Sequence, residues 1–212
     1  MGGFTLIEML VSLGIILIIT TVVLLGQSGF NRTLVLVDTA YGMAFTLRQA
    51  QSFGLSSRLF GLVQNAGYGL HLVNGAPTSY SLFADILPVS PGDTQGGLCP
   101  GHSASVGVES KPGNCLYDST TEQVTGYTLN RGFKISSFCG MEGAVKRCSG
   151  SYLDSLDITF LRPSTQPTIL GTHAGAIVNL SSAAVHVTSP DGLQERCVNV
   201  SKVGQIAVDV CS

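Results

Sequence analysis

The sequence predicts an α+β protein: a long N-terminal helix, transmembrane in its first half and amphipathic in its second, packed on an antiparallel β-sheet head. Three observations predict it. An uncharged stretch of 23 residues runs from Met9 to Asn31. A stripe of apolar residues at helical spacing follows it. Beyond residue 67, short alternating runs are separated by Gly, Asn and Pro turn signals. The 212 residues suffice for one domain of ordinary size with an appendage.

The apolar run is long enough to cross a hydrocarbon core of about 30 Å as a helix. A secretory signal peptide would need a basic n-region and a small-residue cleavage site, yet the first basic residue is Arg32. A plain signal anchor leaves Glu8 unexplained, because an ionised carboxylate costs at least about 2.5 kcal/mol at a helix centre in hydrocarbon. Cleavage ahead of the run, between Gly3 and Phe4, keeps the helix attached and creates an α-amine four residues from Glu8. Opposite charges so placed make each other tolerable in low dielectric. An interfacial Glu8 reaching toward headgroups is the simpler alternative.

Past Asn31, the residues Ala40, Ala44, Leu47, Ala50 and Phe53 recur at spacings of three and four beside Arg48, Gln49 and Gln51. That stripe faces a core. One helix of roughly 50 residues results, with residues 4–31 in membrane or filament and 32–58 on the head. Gly26, Gly29 and Gly42 are places where it could bend. Ser56, Ser57 and Gly61 mark its end.

Residues 59–212 read as the head. Tyr68–Val73 and Ser79–Ala84 flank Asn74-Gly75, a hairpin signal. Residues 85–118, rich in Gly, Pro and Ser, read as a long loop of the kind that must be tied down. Val124–Leu129 and Phe133–Phe138 suggest a second hairpin around Asn130-Arg131-Gly132, and a loop from Cys139 to Cys148 follows. Leu156–Leu161 is a strand ended by Pro163 and Pro167. In the tail, Ala176–Leu180, Ala184–Thr188, Arg196–Val200 and Gln205–Val210 alternate, with turns at Ser189–Gly192 and Ser201–Gly204.

Six cysteines, Cys99, Cys115, Cys139, Cys148, Cys197 and Cys211, all follow the apolar run. An even count there suggests disulfides in an oxidising compartment. Pairing of sequence neighbours (Cys99–Cys115, Cys139–Cys148, Cys197–Cys211) is the expectation. Zinc is the rival reading, without a C-x-x-C pair or ligand-like His spacing to favour it.

GFTLIEMLVSLGIILI resembles the N-terminal signature of type IV pilins and of the pseudopilins of type II secretion. AFTLRQAQSFG, GYGLHLVNG with SYSLFAD, and VNVSKVGQIAVDV are similar, in the same order, to minor pseudopilins of the GspH/FimT kind. The resemblance implies a pilin-like fold, a leader of residues 1–3 and cleavage by a prepilin peptidase after Gly3. Phe4 would then be the N-methylated N-terminus and Glu8 the fifth mature residue, pairing with a neighbour's amine during assembly. Family leaders generally carry a Lys or Arg before the glycine, whereas Met1-Gly2-Gly3 has none. The implied partners are other pilin or pseudopilin subunits, the peptidase and the pilus or secretion machinery. The implied location is the bacterial inner membrane, single-pass with the head outside the cytoplasm, and then the filament.

Functions of other classes find little support. Net charge is −2 and the eleven Lys and Arg are scattered, so no nucleic-acid partner is expected. His71, His102, His173 and His186 fall on separate predicted elements, and His71 and His186 alternate with apolar neighbours as strand-face residues do. No P-loop, G-x-S-x-G, G-x-G-x-x-G or H-E-x-x-H occurs, so no catalytic residue, no cofactor and no metal are expected. Asp118, Asp154, Asp157 and Glu109 leave a loop-built calcium site open. A tip subunit whose head binds a surface, a secreted substrate or DNA is the alternative, motivated by the 85–118 loop.

Overall fold

A computed structural model describes residues 3–56, 58–61, 63, 66–86 and 113–211, with backbone only for 25–30. Helix α1 runs unbroken over Leu6–Leu55, 50 residues, about 75 Å at 1.5 Å per residue. Thr5 precedes it in extended backbone, and Glu8 lies in its first turn, where a carboxylate suits the positive end of the helix dipole. The glycines at 26, 29 and 42 do not interrupt it. It ends at Leu55, six residues before Gly61, with the Ser56 N–H donating to the Ser52 and Phe53 carbonyls.

Along Phe4–Leu24 every side chain is exposed. The hydroxyls in this stretch turn back on the helix: Ser12 donates to the Glu8 carbonyl at 2.6 Å, Thr21 to Leu17 at 2.7 Å, and Thr20 to Ile16. Such back-bonding leaves these three hydroxyls without need of water. Beyond Arg32 the helix buries Leu36, Ala40, Met43, Ala44, Leu47 and Ala50. Phe53 packs edge-on against Tyr68, ring centroids 5.4 Å apart. At Gly54 the helix comes so close to the sheet that a Cβ would stand 2.2 Å from the Phe160 carbonyl oxygen.

Among the described residues the head holds two antiparallel sheets rather than the one expected from sequence. The first contains β1 (Gly67–Val73), β2 (Ser79–Asp85), β3 (Gln123–Thr128), β6 (Ser155–Phe160), β7 (Thr168–His173) and β8 (Ala176–Leu180), in the order β3-β2-β1-β6-β7-β8. The second contains β4 (Lys134–Glu142), β5 (Val145–Cys148), β9 (Ala183–Thr188), β10 (Glu195–Val200) and β11 (Ile206–Asp209), in the order β11-β10-β9-β4-β5. The helix packs on β1 and β6 of one sheet and on β9, β10 and β11 of the other. Tyr68, Leu70, Leu72, Leu156, Ile158, Phe160, Val185, Val187 and Val198 form the core around its buried face.

Three local expectations are corrected. The β1–β2 hairpin stands, with Gly75 at positive φ in its turn, but 124–129 and 133–138 do not form a second hairpin. Strand β3 pairs with β2, with Tyr80 and Tyr127 stacked at 5.0 Å, and β4 pairs with β9 and β5. Arg131 and Gly132 do adopt the positive φ of a turn, yet that turn carries the chain from one sheet to the other. The loop between Cys139 and Cys148 is itself a hairpin, with the two cysteines directly opposed across β4 and β5. Strand β7 follows Pro167 at once and was hidden by the prolines. Of the expected loop 85–118, residues 87–112 lie outside the described residues, and 113–118 are not a loose surface loop. They fold over the outer face of the first sheet, where Cys115 and Leu116 pack with Leu161, Leu170 and Ile177.

Candidate functional site

Three features of the N-terminus are on view. The Gly3–Phe4 bond lies ahead of the helix, in non-helical backbone. Phe4 and Glu8 are exposed, so the carboxylate is free to meet a cation from outside. The segment Leu6–Leu24 is long and apolar enough to cross a membrane, with mean hydropathy 2.6 and none of it buried against the head.

A second feature escaped the sequence reading. Leu34, Tyr41 and Phe45 are 51%, 53% and 68% exposed. At 3.6 residues per turn they lie within roughly 40° of one another. They face away from Leu36, Met43 and Leu47, the residues turned to the core. The helix therefore has two apolar faces in its head-bound half, one covered and one open, with Asp38 the acid beside the open one. The signal was present in the spacing 34-41-45, but the buried alanine stripe was the stronger pattern.

The expected disulfides are present where the structure describes them. Cys139 joins Cys148, and Cys197 joins Cys211. Cys115 is also disulfide-bonded, while Cys99 lies outside the described residues. His186 has ligand atoms within 4.8 Å of Cys197 and Cys211, but those sulfurs are bonded to each other, so neither is a thiolate for zinc.

Under residues 113–118 the first sheet carries a polar cluster that the sequence showed only as scattered acids. The Asp85 oxygens accept from the Asn114 and Cys115 backbone N–H groups at 2.9 and 2.8 Å. Glu122 accepts from the N–H groups of Ile86 and Asp118, each at 2.9 Å. Gly113, at φ +100°, has no room for a side chain above Asp85. Burial, with Glu122 and Asp118 nearby, pushes the Asp85 carboxyl well above the usual carboxylate range, although its two backbone donors oppose this. These carboxylates hold both ends of the 87–112 segment to the sheet.

Beside them, His71 Nδ1 meets Asp157 Oδ1 at 2.7 Å, and Tyr117 lies over the imidazole with centroids 4.5 Å apart. Burial raises the Asp157 pKa, and the His71 contact opposes the rise. Ser81 sits opposite His71 in the β1–β2 register and Asp157 opposite it in β1–β6. Among the described residues no hydrogen bond links Ser81 to His71. The histidine's evident work is to clamp Tyr117 and its segment onto the sheet. His173 stacks on Tyr152 at 3.9 Å and contacts its carbonyl, and His186 meets Glu195 at 3.3 Å. The strand-face reading of His71 and His186 thus agrees with their positions. His102 and Glu109 lie outside the described residues, and Asp154 accepts from the Ala174 N–H.

Fold and N-terminus together define a class: an α+β head on a helix apolar enough to span a membrane. No protein-family model, curated protein or solved structure matches the chain.

Proposed function

We propose that the chain is a structural subunit, a minor pilin or pseudopilin of a type IV pilus or type II secretion pseudopilus. It is processed after Gly3 by a prepilin peptidase, held in the membrane by its N-terminal helix, and assembled through that helix. It has no catalytic task; the peptidase and the assembly motor are separate proteins. The observation that carries this reading is the open stripe Leu34-Tyr41-Phe45. A membrane anchor accounts for apolar side chains along Leu6–Leu24, within the span. It does not account for a further apolar face beyond Arg32, outside hydrocarbon, on the side of the helix away from its own head. Packing against helices of neighbouring subunits covers both. Glu8, exposed in the first turn, would there meet the N-terminal amine of an adjacent subunit, and the pairing would fix the axial register.

The test is made in a host that carries the assembly machinery. The mature protein should have Phe4 as a methylated N-terminus by mass spectrometry; an unmodified Met1 would overturn the processing step. The Glu8→Ala variant should reach the membrane fraction at the wild-type level and be lost from sheared filaments. Unchanged incorporation would remove Glu8 from the assembly role.

A further inference from the structure

Where the helix leaves its apolar span, the head presents a tightly bonded turn that carries an exposed leucine. The β9–β10 turn, Ser189–Gln194, is held rigidly. The Ser189 N–H donates to the Gln194 carbonyl at 3.0 Å, and the Gln194 N–H returns to Ser189 Oγ at 3.1 Å. Asp191 accepts from the Leu193 N–H at 3.1 Å and from Ser189 Oγ. Two bonds then fix the turn to the helix: Arg32 Nη1 to Asp191 Oδ2 at 2.7 Å and Thr33 Oγ1 to Gln194 Oε1 at 2.9 Å. At the tip of this ordered frame stands Leu193, 83% exposed.

The hairpin points toward the N-terminal end of the helix. Its β9–β10 turn bonds Arg32 and Thr33, whereas the following turn bonds Gln51 through the Gly204 carbonyl at 3.2 Å. Arg32 is the first charged residue after the uncharged run Met9–Asn31. A long basic side chain at the end of a span reaches the headgroup level, so the turn bonded to Arg32 stands at the membrane interface. The neighbouring β3–β4 turn brings Arg131 to the same end, since Gly132 lies against Pro190. Lys134 pairs in register with Thr188 just beneath. Arg32, Arg131 and Lys134 are all exposed. The two acids here are engaged, Asp191 with Arg32 and Glu195 with Ser136 Oγ at 2.8 Å and His186.

A single exposed leucine is ordinary. A leucine held out by a rigid turn, rimmed by cations, at the end of the head from which the span departs is a different arrangement. We infer that this end of the head is a membrane foot: Leu193 enters the boundary of headgroups and acyl chains, and Arg131 and Lys134 meet anionic phospholipid phosphates. The inference rests on the membrane-anchored state proposed above. Before assembly, the foot would hold the head at a fixed tilt over the bilayer.

The chain has no Trp, so a Leu193→Trp variant carries one emitter at the site. A Val203→Trp variant, at the exposed turn at the far end of the head, is the control. Both full-length variants are reconstituted into phosphatidylcholine vesicles with and without phosphatidylglycerol, and lipids brominated near the headgroup serve as quenchers. Position 193 should be blue-shifted and quenched, more so with phosphatidylglycerol, and position 203 should not. Adding Arg131→Gln and Lys134→Gln should remove the phosphatidylglycerol-dependent part. If both variants float with vesicles yet position 193 emits like position 203, the foot is overturned while the span stands. If neither floats, the span falls with it. Emission that changes with protein density rather than lipid charge would assign the turn to a neighbouring head and also overturn the proposal.

Discussion

Asp85 shows how a single buried carboxyl sets the pH behaviour of its neighbourhood. Its folded pKa is raised by burial and by Glu122 and Asp118. The sign follows: this group favours the fold most where it is protonated, below its ordinary value of 3.8, and the benefit is lost as pH rises through the raised value. Asp191 is the opposite case. Hydrogen bonds from Ser189 and Leu193, with Arg32 adding to them, lower it to about 2. Its contribution is present above 3.8 and lost as pH falls toward 2, and exposure to solvent keeps it small. Asp85→Asn offers one oxygen to two backbone N–H donors, so it should cost about 1–3 kcal/mol at pH 4. The deficit should shrink from pH 4 to pH 8, because ionisation of the buried carboxyl costs the wild type stability and the amide does not titrate. Urea midpoints at the two pH values check this, and a deficit independent of pH would refute the linkage.

At the scale of the element, α1 is one helix with three kinds of surface: bare apolar span, head-facing stripe and outward stripe. The two stripes make different predictions. Leu47→Ala empties a site in the core and should cost about 2–5 kcal/mol of head stability. Tyr41→Ser combined with Phe45→Ser touches nothing in the core and should change stability by only about 0.5 kcal/mol per site. The same pair should sharply reduce recovery in sheared filaments. Thermal unfolding and filament yield measured together separate the two, and normal yield from the double variant would argue that the outward stripe contacts nothing. The strands show a parallel division. The β1–β2 hairpin was legible because Asn74-Gly75 closes it locally, whereas the pairings of β3 with β2 and of β4 with β9 join segments distant in sequence and no turn residue encodes them.

For the whole molecule, the disulfides join segments of unequal dependence on them. Cys139 and Cys148 already face each other across a paired hairpin. Cys197–Cys211 secures the last strand and closes a separation of 14 residues. Replacing both of the latter with Ser should lower stability by about 2–4 kcal/mol, read as a fall in thermal midpoint. The Cys139 and Cys148 pair should cost less, because its loop is shorter and the two cysteines themselves are opposed in the ladder, whereas Cys211 lies past the last paired residue, Asp209. Equal losses would mean that β4–β5 pairing depends on its disulfide.

The sequence by itself determined whatever depends on neighbours along the chain: the apolar span, the helix phase, the hairpin at Asn74-Gly75 and the odd placement of Glu8. Tertiary structure alone decided that the strands divide into two sheets, that Asp85 and Glu122 clamp residues 113–118, that Asp157 meets His71, and that Arg32 binds a turn carrying Asp191. The physical reason is that local signals arise from backbone preference and side-chain period. Partners separated by dozens of residues are chosen by which surfaces can be buried together without leaving a polar group unpaired.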